Sequence, residues 1–162
     1  MTMLDSTRGD RFHVWPQFLP DGRHFLYFIQ GARPENTGIY IGSLGSKESR
    51  QLVNASAKPA YTRSSSGIGY LLFAQQTTLM AQRFDDTRLQ LAGEPLSIAE
   101  QVWLPNAPAR GYAAFSASAN GVVAYRTGGS MATELIWFNP QGRRFGNTRW
   151  RRSVLHSGAV QG

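Results

Sequence analysis

The stretch His24-Phe25-Leu26-Tyr27-Phe28-Ile29 is entered through Pro20-Asp21-Gly22, and after a loop it is followed by Gly38-Ile39-Tyr40-Ile41-Gly42-Ser43-Leu44. Pro-Asp-Gly is turn chemistry: proline presets φ, aspartate bonds nearby backbone, and glycine accepts a positive φ. The run after it is apolar on both alternating faces, with Phe25, Tyr27 and Ile29 on one and Leu26 and Phe28 on the other. A strand with one wet face would alternate with polar residues, so this one is expected between two neighbouring sheets. Ile39 to Ser43 reads as its partner, and Ser49-Arg50-Gln51-Leu52-Val53 as an outer strand.

The same phrase is written three times, at roughly 40–56 residue intervals. Its second copy is Tyr70-Leu71-Leu72-Phe73-Ala74, then Thr78-Leu79-Met80-Ala81-Gln82-Arg83-Phe84-Asp85, joined by a connection of hairpin length. Pro95-Leu96-Ser97-Ile98-Ala99 adds a third strand there. The third copy runs from Phe115-Ser116 through the turn Asn120-Gly121 to Val122-Val123-Ala124-Tyr125-Arg126, and then to Glu134-Leu135-Ile136-Trp137-Phe138-Asn139. Asn139-Pro140-Gln141-Gly142 closes it. Paired strands at this period mark a β-propeller or related array, in which each copy is a small sheet that cannot bury itself alone. No run shows helical amphipathic spacing, so the expected class is all-β: about three consecutive propeller-blade-like antiparallel sheets, a partial β-propeller.

Phe18-Leu19-Pro20-Asp21-Gly22-Arg23-His24-Phe25-Leu26-Tyr27, followed by Gly38-Ile39-Tyr40-Ile41, resembles the TolB-like, tryptophan–aspartate-repeat-like propeller units. Phe73 to Asp85 and Asn120 to Tyr125 fit the pattern of the propeller region joined to some bacterial serine/threonine protein kinases. The resemblance spans about residues 13–146. It implies a non-catalytic part that senses or binds a protein or a small ligand, often beyond a membrane segment; the compartment of this chain stays open. The alternative is the propeller portion of a multidomain enzyme, kinase-linked or prolyl-peptidase-like, with its catalytic part elsewhere. Closed propellers use roughly 4–8 blades, and three leave two open flanks. A fragment of a larger propeller, or self-association through exposed blade edges, is therefore expected. The predicted organisation is a flexible segment at 1–12, three units at 13–53, 54–102 and 103–146, and a basic tail at 147–162. The shift to Thr148-Arg149-Trp150-Arg151-Arg152-Ser153 abandons the repeat where a fourth unit should begin, as a truncated or frame-shifted reading would, or equally an ordinary disordered tail.

The formal charge of +7 is concentrated in Arg143, Arg144, Arg149, Arg151 and Arg152. The rest of the chain carries 12 basic against 10 acidic side chains, so charge gives little support to a nucleic-acid partner. No stretch has the roughly 18 apolar residues of a membrane span, and the N-terminus shows no secretory signal pattern. Cysteine is absent, which excludes disulfides and thiolate metal sites.

No catalytic, cofactor or metal residue is nominated, and no cofactor is expected. His13, His24 and His156 match no metal spacing. Asp85-Asp86 offers paired carboxylates but sits where a turn is expected, and Gly67-Ile68-Gly69 reads as a turn, not a dinucleotide loop. His-Arg-Asp and Asp-Phe-Gly kinase landmarks are missing, as are Gly-x-Ser-x-Gly and Ser-x-x-Lys. Arg8-Gly9-Asp10 reads as chance, and Asn54-Ala55-Ser56 is a glycosylation sequon only in a secretory setting. Trp15, Trp103 and Trp137 are the candidates for a ligand platform, with inter-blade packing as their ordinary use.

Overall fold

The computed structural model describes residues 2–105, 110–128, 133–138 and 143–150. Among them there is no α-helix. The described residues form twelve strands: β1 Asp10–Phe18, β2 His24–Gly31, β3 Gly38–Ser43 and β4 Ser49–Asn54; β5 Ala60–Arg63, β6 Gly69–Gln75, β7 Thr78–Asp85 and β8 Gln90–Ala99; β9 Phe115–Ala117, β10 Val123–Tyr125, β11 Thr133–Phe138 and β12 Arg144–Trp150. They pair in chain order into three 4-stranded antiparallel sheets, none closed into a barrel. This is the expected all-β series of blade-like meanders.

Local chemistry sets the turns. Gly22 takes φ 66°, and the Asp21 Oδ1 accepts the Arg23 and His24 N–H groups, both at 2.9 Å, so β1 reverses into β2. Gly121, at φ 91°, does the same between β9 and β10. Gln76 and Thr77 alone connect β6 to β7.

The sheets stack face to face, and β2, β3 and β6 are buried on both sides. Leu26, Ile39 and Ile41 of the first sheet meet Leu71, Phe73 and Phe84 of the second. The opposite face of the second sheet presents Leu72, Ala74, Leu79 and Ala81 to Ala113, Phe115 and Val123 at the third. Each such large side chain contributes about 1.5–3 kcal/mol by leaving water. The first strands of the sheets neighbour one another. Gln17 on β1 accepts the Tyr61 N–H at 2.7 Å and donates to the Tyr61 carbonyl at 3.3 Å. Thr62 on β5 donates to the Ser118 carbonyl beyond β9 at 2.6 Å. The outer edge of the second sheet is blunted instead: β8 is largely exposed, contains Pro95 and pairs irregularly with β7.

Three boundaries differ from the sequence reading. Residues 54–66, expected as a polar stretch, contain β5, because small side chains there allow close approach to the next sheet and buried Thr62 finds its carbonyl. The segment expected to be flexible at 1–12 already belongs to β1 from Asp10 onward. Its preceding turn is held by the buried Asp10 carboxylate, which takes Arg8 and His13 at 2.9 Å and the Asp5 N–H at 3.1 Å. At the other end β12 runs to Trp150, past the boundary set at 146, so Thr148-Arg149-Trp150 completes the third sheet. Residues 151–162 and the turn Asn139–Gly142 lie outside the described residues.

Candidate functional site

In an antiparallel meander, the connection from the second to the third strand and the one leading to the next sheet emerge on the same face. That face therefore gathers the segments 32–37, 55–59, 100–105 and 110–114, together with the start of β1 and the end of β10. A cluster of cations and aromatic rings collects there from all three sheets.

Lys58 lies between buried Ala57 and Pro59, and its N–H donates to the Gly111 carbonyl at 2.7 Å. Its Nζ stands over three rings, 5.6 Å from the centroid of Trp15, 5.2 Å from Tyr112 and 5.4 Å from Phe115. Trp15 and Tyr112 are 5.8 Å apart, and Tyr112 meets Trp103 edge-on at 6.3 Å. Arg126 covers Trp103 at 4.7 Å, and Arg110 covers Phe12 at 4.3 Å. Burial pushes the Lys58 ammonium below the usual lysine range.

The backbone is distorted at the same place. The register of β1 on β2 shifts between Val14 and Gln17, and Trp15 takes φ 59°. Arg110 takes φ 33°. Bulky residues avoid this region, and such conformations cost of order 1–3 kcal/mol each. The bulge re-aims Trp15 so that its indole N–H donates to the Arg110 carbonyl at 2.8 Å, while the residue stays 39% exposed.

Of the sequence candidates, the structure brings Trp15 and Trp103 into this cluster; the side chain of Trp137 lies outside the described residues. His13 serves Asp10, and His24 sits 2.5 Å from Asp21; His156 lies outside the described residues. Asp85 accepts the N–H groups of Thr87 and Arg88, whereas Asp86 turns away to the Tyr61 hydroxyl at 2.6 Å and to Arg63. The two carboxylates therefore do not converge. Among the described residues no group of three or more His, Asp or Glu side chains is arranged to hold a metal ion. Gly67, at φ 81°, makes the β5–β6 turn. Arg8 and Asp10 are turned onto each other, not outward. Asn54 ends β4, and the Ser56 hydroxyl accepts the Gln76 N–H at 2.9 Å.

Sequence reasoning missed Lys58, Arg110, Tyr112 and Arg126. The one sign available was Lys58, a lone cation inside the small-residue run Asn54 to Ala60.

A groove of about 300 Å³ opens on the opposite face, lined by Leu19, Pro20, Asp21, His24, Arg63 and Asp86. Its charged groups already pair with one another, which makes it a seam between the first two sheets. No protein-family model matches the chain, and no curated protein matches it.

Proposed function

We propose that this chain is a non-enzymatic recognition module of the β-propeller type, a portion of a larger propeller, that binds its ligand on the loop-bearing face. The observation that carries this reading is Trp15. Its backbone is held left-handed within the first strand of the first sheet, yet the residue is not buried in return. A tryptophan placed there for packing alone would be hidden, whereas this one, with Lys58 and Tyr112 beside its ring, keeps an exposed part on a rigid support, as a ligand platform requires. The likeness of Phe18 to Tyr27 to TolB-like propeller units supports the same reading.

The test is tryptophan fluorescence and thermal shift of the purified chain against a panel of metabolites and peptides. A ligand should raise the melting temperature of the wild type and bind at least ~10-fold more weakly to Trp15→Ala. Turnover of a defined substrate by the purified chain, or binding indifferent to Trp15→Ala, contradicts it.

A further inference from the structure

We infer that the loop-bearing face takes a carboxylate-bearing ligand, an anionic oxygen resting on Lys58 and a flat or apolar group lying on Trp15. This rests on the recognition reading above and adds the chemistry of what is recognised. Elsewhere in the described residues the cations Arg8, Arg33, Arg63 and Arg88 each face a carboxylate, and Arg11, Arg23, Lys47, Arg50 and Arg83, which form no ion pair there, are exposed to water, unlike half-buried Lys58. Lys58, Arg110 and Arg126 form no ion pair among the described residues; rings hold all three. A ring face orients a cation but accepts its charge weakly and leaves N–H groups directed elsewhere. The Lys58 Nζ has no hydrogen-bond acceptor among the described residues, although the side chain is half-buried.

A half-buried ammonium without an acceptor is stabilised by an anion that enters and shares its desolvated site. One such charge, on a face that also carries the exposed guanidinium groups of Arg110 and Arg126, matches a carboxylate, which Arg grips with two parallel bonds. A phosphate backbone is the poorer fit. Single-stranded nucleic acid needs a succession of free ring faces, and here Trp103 and Phe12 are already covered by Arg126 and Arg110.

The experiment is titration calorimetry at ~150 mM salt with three probes: a hexaglutamate peptide, a thymidine hexanucleotide and a neutral cello-oligosaccharide. Hexaglutamate should bind the wild type, and Lys58→Met and Arg126→Gln should each weaken it at least ~10-fold. Lys47→Met, which removes an exposed charge from the β3–β4 turn on the opposite face, should leave it within about twofold. Arg126 is exposed, so Arg126→Gln keeps the test decisive if Lys58→Met folds poorly. Equal losses with Lys47→Met and Lys58→Met would reduce the effect to bulk charge and overturn the assignment. Tighter binding of the hexanucleotide overturns it in favour of nucleic acid. If the oligosaccharide binds, with sensitivity to Trp15→Ala but not to Lys58→Met, the carboxylate assignment falls while the recognition reading stands. No binding of hexaglutamate also overturns it.

Discussion

Gly111 takes φ 72°, and a Cβ built on it would stand 2.4 Å from the Phe28 ring. The connection ahead of the third sheet is thereby pressed against a buried side chain of the first. Gly111→Ala should destabilise the chain by about 1–3 kcal/mol, through the strained φ and the forced displacement of Phe28; urea unfolding would measure it. Asp21 shows the electrostatic counterpart. His24 and the two backbone N–H groups it accepts hold its carboxyl at about 2, below the ordinary 3.8. Its contribution is therefore complete above about pH 4 and is lost as pH falls toward 2, because the unfolded chain takes up the proton first. Unfolding followed from pH 5 to pH 2 should show a shallower acid loss for Asp21→Asn than for the wild type. Both residues bear on what was legible. The Pro-Asp-Gly turn could be read from three adjacent letters, since each acts on its own backbone. Gly111 could not, because its constraint is a ring more than eighty positions away.

At the scale of elements, β6 decides between a sheet with one wet face and a sheet between two neighbours. Leu71 packs toward the first sheet and Leu72 toward the third, and both are buried. Leu71→Ala and Leu72→Ala should each cost about 2–5 kcal/mol in denaturant unfolding. A near-neutral result for either would deny burial on that side. The doubly apolar runs announced this, as periodicity reports burial directly. β5 gave no such signal: it is only four residues, Ala-Tyr-Thr-Arg, and its polar Thr62 is tolerated only because the Ser118 carbonyl lies within reach. The cation–aromatic cluster was illegible for the same reason. Trp15 and Trp103 stood out by type, but nothing local linked them to Lys58, Tyr112 or Arg126, which arrive from other sheets.

For the whole molecule, the question is what a series of sheets does with its first outer face. Tyr27, Ile29 and Tyr40 lie there, all nearly inaccessible. The chain supplies cover from its own beginning. Thr2 to Arg8 pass beside Phe25, Tyr27 and Gly42, bordering an open pocket of about 400 Å³. Arg8 stands over Tyr40 at 5.2 Å, and Asn36 fastens the segment by donating to the Arg8 carbonyl at 2.6 Å. A variant lacking residues 2–9 should expose this aromatic face and self-associate, seen as a rise in mass by light scattering relative to the full chain. An unchanged mass with an unchanged melting temperature would show that the segment is not a cover. An open flank followed from the repeat number; its remedy did not, because Arg8 and Asp10 read as polar ends until Asp10 is seen buried.

The indole of Trp15 and the carbonyl of Arg110 are 95 positions apart. Every strand pairs with a chain neighbour, so the ladders can zip locally and early. The Trp15 clasp must wait for the connection that follows the second sheet. On the ribosome the opening meander would thus be knitted well before it is fastened, with the third sheet still to form after the clasp's carbonyl has emerged.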